Sequence, residues 1–87
     1  MEITEVSVLI KENARMKGFA SIKINDCLVI HDMRIIEGEN GLFVAMPSRR
    51  TPNGEYKDVV HPTNSDFRKV ITDAVLEEYN KQLENFE

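Results

Sequence analysis

The spacing of apolar residues changes once along this chain, and the change limits the class of fold. Up to residue 60, apolar side chains mostly recur at every second position, as in half-buried β-strands. Val6, Val8 and Ile10, for example, point to one side of a predicted first strand. Beyond Pro62 the spacing becomes three or four residues, which is typical of a helix. The predicted helical stripe consists of Phe67, Ile71, Ala74 or Val75, and Tyr79.

Turn-forming residues divide the first part of the chain into five predicted strands. These strands cover residues 2–10, 19–24, 27–36, 42–46 and 55–60. Asn25 and Asp26 are a two-residue hairpin signal, and residues 11–18 and 37–41 are predicted connections. Residues 47–54 are rich in Pro, Asn and Gly, so we predict that they form the turn between the fourth and fifth strands.

A helix is predicted for the last part of the chain. Pro62 ends the fifth strand because proline lacks the N–H that a sheet needs. Asn64 or Ser65 can cap the helix, and Asp66 lies in the first turn, where a negative charge is favourable. The helix is expected to reach about residue 83.

Together these elements predict an α+β fold in one domain, residues 1–87. About five antiparallel strands form a small sheet, and the C-terminal helix covers one of its faces. One helix covers only part of such a sheet, and the sheet has open edges. We therefore expect a homodimer, since association with a second copy would bury more of this surface.

The charge of the chain is unevenly distributed. The net charge is −4, which alone disfavours nucleic acid as a partner. Residues 49–69, however, hold five basic residues against three acidic ones. The basic residues are Arg49, Arg50, Lys57, Arg68 and Lys69. Such a patch predicts salt-sensitive binding to a polyanion, most simply to the phosphates of nucleic acid.

Composition argues against several other classes of protein. One cysteine and two histidines are too few for an internal disulfide or a structural zinc site. No apolar run approaches the roughly 20 residues of a membrane span. The first residues carry glutamates where a signal peptide carries positive charge. We expect a cytoplasmic protein with no cofactor, no metal, no membrane contact and no small-molecule substrate.

Catalysis is also not expected. Cys27, His31, Asp32 and His61 are the residue types of a nucleophile, a base and an orienting group. Adjacent strand residues point to opposite faces, so His31 and Asp32 should not form a dyad. Cys27 and His31 should share a face but lie about 13 Å apart. A buried histidine satisfied by backbone groups is the expectation here.

At residues 29–65 the sequence closely resembles the SpoVG family (stage V sporulation protein G). The matching residues are VIHDMR at 29–34, GLFVAMPS at 41–48, RTP at 50–52, GE at 54–55, Asp58, HP at 61–62 and NS at 64–65. The resemblance implies a dimeric regulator that binds DNA, with RNA as a further target, and that influences gene expression, cell septation and sporulation. It also implies polyanion contacts around the helix and its preceding loop, here Arg49, Arg50, Lys57, Arg68 and Lys69.

Three of these five residues also have a simpler interpretation. Arg49 and Arg50 could form a solvated turn, and Lys69 could pair with Asp73 at the i,i+4 spacing. A second basic cluster, Lys11, Arg15 and Lys17, could extend the footprint or only solubilise a loop.

The aromatic residues Phe19, Phe43, Tyr56 and Phe67 could stack unpaired bases, but we interpret most of them as core. The alternative function is a protein-interaction module of the division machinery that uses the acidic helix face, Asp73, Glu77 and Glu78.

Overall fold

The computed structural model of the chain describes residues 1–11 and 15–86. It has an antiparallel sheet of four strands in the order β1-β2-β3-β4, a separate hairpin, β5-β6, and one helix. The elements are β1 (Ile3–Ile10), β2 (Met16–Ile24), β3 (Leu28–Gly38), β4 (Gly41–Ala45), β5 (Ser48–Arg50), β6 (Tyr56–Asp58) and α1 (Ser65–Phe86). The predicted α+β class, with the helix at the C-terminal end, is confirmed.

The core lies between α1 and one face of the four-stranded sheet. Ile22, Met33 and Ile35 come from the central strands and are almost completely buried. Ile71 and Val75 meet them from the helix, as the predicted helical spacing requires. No described helix covers the opposite face of the sheet.

The predicted hairpin turn between β2 and β3 is confirmed. Asn25 and Asp26 both have positive φ values, 51° and 55°, which is the backbone that a type I′ turn needs. The Cys27 N–H donates to the Ile24 carbonyl at 3.1 Å and closes the turn. Cys27 therefore lies in the turn and is exposed, one residue before the observed start of β3 at Leu28.

The helix begins where the sequence predicts. The Asn64 side-chain oxygen accepts a hydrogen bond of 2.8 Å from the Phe67 N–H, so Asn64 is the cap. Asp66 lies in the first turn, and the helix continues to Phe86, beyond the predicted end. It is not long and apolar enough to cross a membrane, and it is the sole helix among the described residues.

The predicted fifth strand of the main sheet is wrong. Of the predicted strand at residues 55–60, only Tyr56–Asp58 is a strand. It pairs with Ser48–Arg50 instead of joining the main sheet. Pro47 explains the break, because its missing N–H stops β4 from extending the main ladder. The main sheet therefore ends at Ala45, and the chain starts a new two-stranded ladder at Ser48.

Two connections are shorter than predicted. β3 extends to Gly38, which pairs with Gly41 across a tight turn at residues 39–40. β2 already begins at Met16, inside the predicted connection, of which residues 12–14 lie outside the described residues. The prediction of a homodimer stays a prediction at this point.

Candidate nucleic-acid interface

The hairpin of residues 48–58, called the arm below, carries three of the five predicted contact residues. Its loop is closed by the Thr51 N–H donating to the Glu55 carbonyl at 2.7 Å and the Gly54 N–H donating to the Thr51 carbonyl at 2.9 Å. Gly54 has a φ of 85°, a conformation that favours glycine. Arg49 and Arg50 fall within the predicted connection at residues 47–54, and that prediction is wrong for both. They are strand residues, because residues 51–55 alone make the turn.

The register of the arm sorts its side chains onto two faces. Arg49 pairs directly with Lys57, so these two cations lie side by side on one face. Arg50 pairs with Tyr56, and Ser48 with Asp58, on the opposite face. The Arg49-Arg50 pair read from the sequence is thus split between faces, and the observed pair of cations is Arg49 with Lys57.

The arm extends away from the core. Both arginines and all three residues of β6 are exposed. Among the described residues, one side-chain hydrogen bond joins the arm to the sheet, from Arg34 Nη2 to Ser48 Oγ at 3.1 Å. At the base of the arm, the Val59 N–H donates to the Pro47 carbonyl at 2.7 Å. Arginine side chains held this way can reach a partner without first leaving a packed environment.

The two basic residues at the start of α1 differ from each other. Lys69 is held by Asp73, with Nζ and Oδ2 2.8 Å apart, which is the simpler interpretation given above. The hydrogen bond to Asp73, and then its charge, raise the pKa of Lys69 above 10.5. Arg68 is exposed, and no ion pair of Arg68 occurs among the described side chains. No described hydrogen bond or ion pair connects either residue to the arm.

The second basic cluster is partly used within the fold. Lys17 forms an ion pair of 3.2 Å with Glu37, and Lys11 lies over the Phe19 ring with Nζ 5.9 Å from its centroid. Lys23 likewise pairs with Glu5 at 3.1 Å. These cations are therefore less available to a ligand than Arg49 and Lys57, for which no ion pair occurs in the described part of the chain.

His31 and Asp32 do not behave as regular strand residues. The register of β2 and β3 shifts between Ala20 and Ile22, so that Ser21 faces two residues of β3, and Asp32 has a φ of 64°. This is a β-bulge. Both side chains are exposed and line the same concave surface, so the predictions of opposite faces and of a buried histidine are wrong. No group of three or more metal-binding side chains occurs in residues 1–11 and 15–86.

A concave surface lies between the arm and the open face of the sheet, and it encloses a volume of about 680 Å³. Ser48 and Tyr56 line it from one side, and His31 and Arg34 line it from β3. The prediction that most of the four aromatic residues belong to the core is wrong, because Tyr56 is 71% exposed and Phe43 is 46% exposed. The alternation of Tyr56 with Lys57 could not indicate this, because alternation predicts one buried face, whereas this short ribbon exposes both.

The chain matches a known family along most of its length. The model of the SpoVG family matches residues 1–81. A relative from Caldanaerobacter subterraneus subsp. tengcongensis is 51% identical over 86 residues, covering 98% of this chain and 94% of the relative. Relatives from Staphylococcus carnosus and Staphylococcus aureus are each 51% identical over 82 residues, covering 93% of this chain and 77% and 82% of theirs. All three bear the name "Putative septation protein SpoVG". The chain belongs to the SpoVG family.

Proposed function

We propose that this chain is a nucleic-acid-binding regulator that acts in cell septation and sporulation by influencing gene expression, with DNA as its main ligand and RNA as a further one. The observation that carries the proposal is the Arg49-Lys57 pair on an exposed two-stranded ribbon. The septation role rests on the names of the relatives, whose alignments cover nearly the whole chain. We further propose that the protein works in the cytoplasm and without catalysis.

A two-stranded ribbon is one of the shapes that the major groove of DNA accepts. Arg49 can bind a phosphate or a guanine edge through two parallel N–H donors, and Lys57 adds a point charge beside it. Neither cation has an ion pair among residues 1–11 and 15–86, so neither has to break one there to contact phosphates. Arg68 can add a contact at the helix start, whereas Lys69 must first leave Asp73.

The acidic charge of the chain lies mostly elsewhere. From residue 70 onward, one lysine stands against five acidic residues. A duplex that approaches the arm therefore meets a locally basic surface on an acidic protein. This arrangement favours weak, salt-sensitive binding with a fixed orientation.

The rival function, protein binding through the acidic helix face, has less support. Asp73 is engaged by Lys69, and the Glu78 carboxylate accepts a hydrogen bond of 3.1 Å from Gln82. Of the three predicted acidic contacts, Glu77 alone is exposed without a described partner. Contact through this face would survive loss of Arg49 and Lys57, which separates the two functions.

We also propose that two copies associate through the part of the open sheet face that lies outside the concave surface lined by Tyr56 and Arg34. Leu9 is 60% exposed and Phe43 is 46% exposed on that face, and β4 has a free edge. Size-exclusion chromatography with light scattering should give a dimer, and Leu9→Ser/Phe43→Ser should give a monomer. Val70→Ser is the control, because Val70 is exposed on the helix. A parent protein that is monomeric at all concentrations would refute this assembly.

The test of nucleic-acid binding is an anisotropy titration of labelled duplex DNA and RNA at several salt concentrations. Arg49→Ala/Lys57→Ala should weaken binding. The plot of the logarithm of the association constant against log salt should become less steep by about 2, roughly one for each lost phosphate contact. Lys23→Ala/Lys81→Ala is the matched control, because it removes the same charge away from the arm. Arg68→Ala/Lys69→Ala should have an intermediate effect.

Two results would contradict the proposal. The first is absence of binding at low salt by a folded parent protein. The second is an equal loss in the arm variant and in the control variant, which would mean that total charge, and not the Arg49-Lys57 pair, sets the affinity.

A further inference from the structure

The second face of the arm has a different chemistry from the first. Arg50 and Tyr56 are direct cross-strand partners, so their side chains lie next to each other. Tyr56 is 71% exposed and carries the most exposed aromatic ring of the described residues. An exposed aromatic ring beside a guanidinium plane is a common platform for unpaired bases, because both can stack on a flat ligand.

This face looks onto the concave surface described above. Leu28, Val29, Val59 and Val60 line that surface, and all four are exposed. The Arg34 guanidinium uses one donor on Ser48 and retains others for a ligand. A concave, mostly apolar surface with a few polar groups is typical of a site that takes a flat organic group.

We propose that this surface binds an unpaired base of single-stranded nucleic acid, stacked on Tyr56, while Arg49 and Lys57 contact the phosphates of the same strand. The proposal rests on the proposed function, because it needs the basic face of the arm. A base in a duplex has both faces covered by its neighbours, so only an unpaired base can reach Tyr56. Stacking on Tyr56 therefore raises the affinity for single strands and not for duplexes.

Charge favours a nucleic-acid strand over a second copy as the occupant. Arg34 and Asp32, which offset each other, both line the concave surface. The arm itself remains net positive, because its three cations, Arg49, Arg50 and Lys57, outnumber Glu55 and Asp58. A second arm seated here would bring like charges together, which is unfavourable. A polyanion neutralises them instead.

The chain offers a direct spectroscopic test. It has no tryptophan and two tyrosines, and the second, Tyr79, is buried in the core. Intrinsic tyrosine emission should therefore fall when an unlabelled oligouridylate stacks on Tyr56. An abasic strand of equal length and an RNA duplex should leave the emission nearly unchanged. Oligothymidylate, compared with oligouridylate, separates DNA from RNA as the source of the base.

Two variants at one position complete the test. Tyr56→Phe should bind oligouridylate like the parent protein but lose the change in tyrosine emission. Tyr56→Ser should bind oligouridylate about tenfold more weakly, while its affinity for the duplex and the abasic strand stays the same. Because Tyr56 is exposed, both variants should retain the circular dichroism spectrum of the parent.

The outcomes distinguish this inference from the proposed function. Equal binding of oligouridylate by Tyr56→Ser and the parent, with loss in Arg49→Ala/Lys57→Ala, would overturn base stacking and leave phosphate binding intact. An equal loss for all three ligands in Tyr56→Ser would also overturn it. Conversion of the parent dimer to a monomer by Tyr56→Ser would assign the surface to a second copy. No binding of any ligand at low salt would overturn both proposals.

Discussion

The arm and the rest of the fold use β-structure for opposite purposes. In the body, meaning β1–β4 with α1, one face of each strand packs against a helix, and residues such as Ile35 are fully buried. In the arm, no other described helix or strand forms a layer on either face of β5 and β6, and their charged side chains are exposed. The body therefore determines stability, and the arm keeps side chains free for a partner. The same backbone geometry supports both because burial, not strand pairing, supplies most of the stabilisation.

A free arm needs local features to stay ordered, because an isolated hairpin is marginal in water. Three such features are present: the tight turn at Gly54, the Pro47-Val59 backbone hydrogen bond and the Arg34-Ser48 contact. They fix the direction of the arm without burying its surface. We expect the arm to open locally at a lower free energy than the body unfolds.

The largest expected effect comes from the core of the body. Ile35→Ala should lower the free energy of unfolding by about 2–5 kcal/mol, because Ile35 is completely buried and its loss leaves a cavity. Val59→Ala, at a side chain that is 65% exposed next to the arm, should change it by less than about 0.5 kcal/mol. Urea unfolding followed by circular dichroism measures both. Similar losses in the two variants would mean that the chain at the base of the arm is part of the cooperative core.

Gly18 in the body and Gly54 in the arm should respond differently to substitution by alanine. A Cβ atom on Gly18 would lie 2.6 Å from the Leu9 carbonyl oxygen, so Gly18→Ala must displace backbone in the main sheet. We expect a loss of about 1–3 kcal/mol and a melting temperature lower by at least about 4 °C. Gly54→Ala has space around it but is strained by its φ of 85°.

Gly54→Ala should therefore affect the arm alone. Its melting temperature should stay within about 2 °C of the parent's, since the arm contributes little to global stability. Hydrogen exchange at the Thr51 and Gly54 amides should become faster, because these amides close the loop. Global destabilisation by Gly54→Ala as large as that by Gly18→Ala would contradict the separation of arm and body.

The sequence predicts the body better than the arm, for a physical reason. Apolar spacing reports burial, and it correctly indicated the strands of the main sheet and the helical stripe through Ile71 and Val75. It could not indicate which strand pairs with which, so residues 55–60 were assigned to the wrong sheet. The bulge at His31 and Asp32 also leaves no mark in the spacing, although it changes where both side chains point.

The candidate site shows the same limit. The sequence identified all five cations, but the pairing of Arg49 with Lys57 depends on the register of a hairpin only three residues long on each side. The engagement of Lys69 by Asp73 could be predicted, because i,i+4 spacing on a helix is local. Local geometry can thus be read from sequence, whereas long-range register and the faces it creates cannot.

The Asn64 cap at the start of α1 should contribute to the stability of the body. Asn64→Ala removes the hydrogen bond to the Phe67 N–H and should lower the free energy of unfolding by about 1 kcal/mol. Asn64→Asp should retain stability, because an aspartate caps as well and its charge suits the helix start. Thermal unfolding of the three proteins measures this order. Equal stability of Asn64→Ala and the parent would show that the cap contributes nothing.

The smallest expected effect concerns Lys69 and the pH dependence of the body. Its pKa in the folded protein is raised above 10.5 by Asp73, so the pair stabilises the fold fully below the unfolded pKa. The contribution disappears as the pH rises through the raised, folded pKa. The parent should therefore lose slightly more stability than Asp73→Asn between about pH 9 and about pH 12. Because Lys69 is exposed, the difference should be small and should shrink further in high salt. A larger alkaline loss in Asp73→Asn than in the parent would contradict the pairing, and Lys69 would then be as free for phosphates as the cations of the arm.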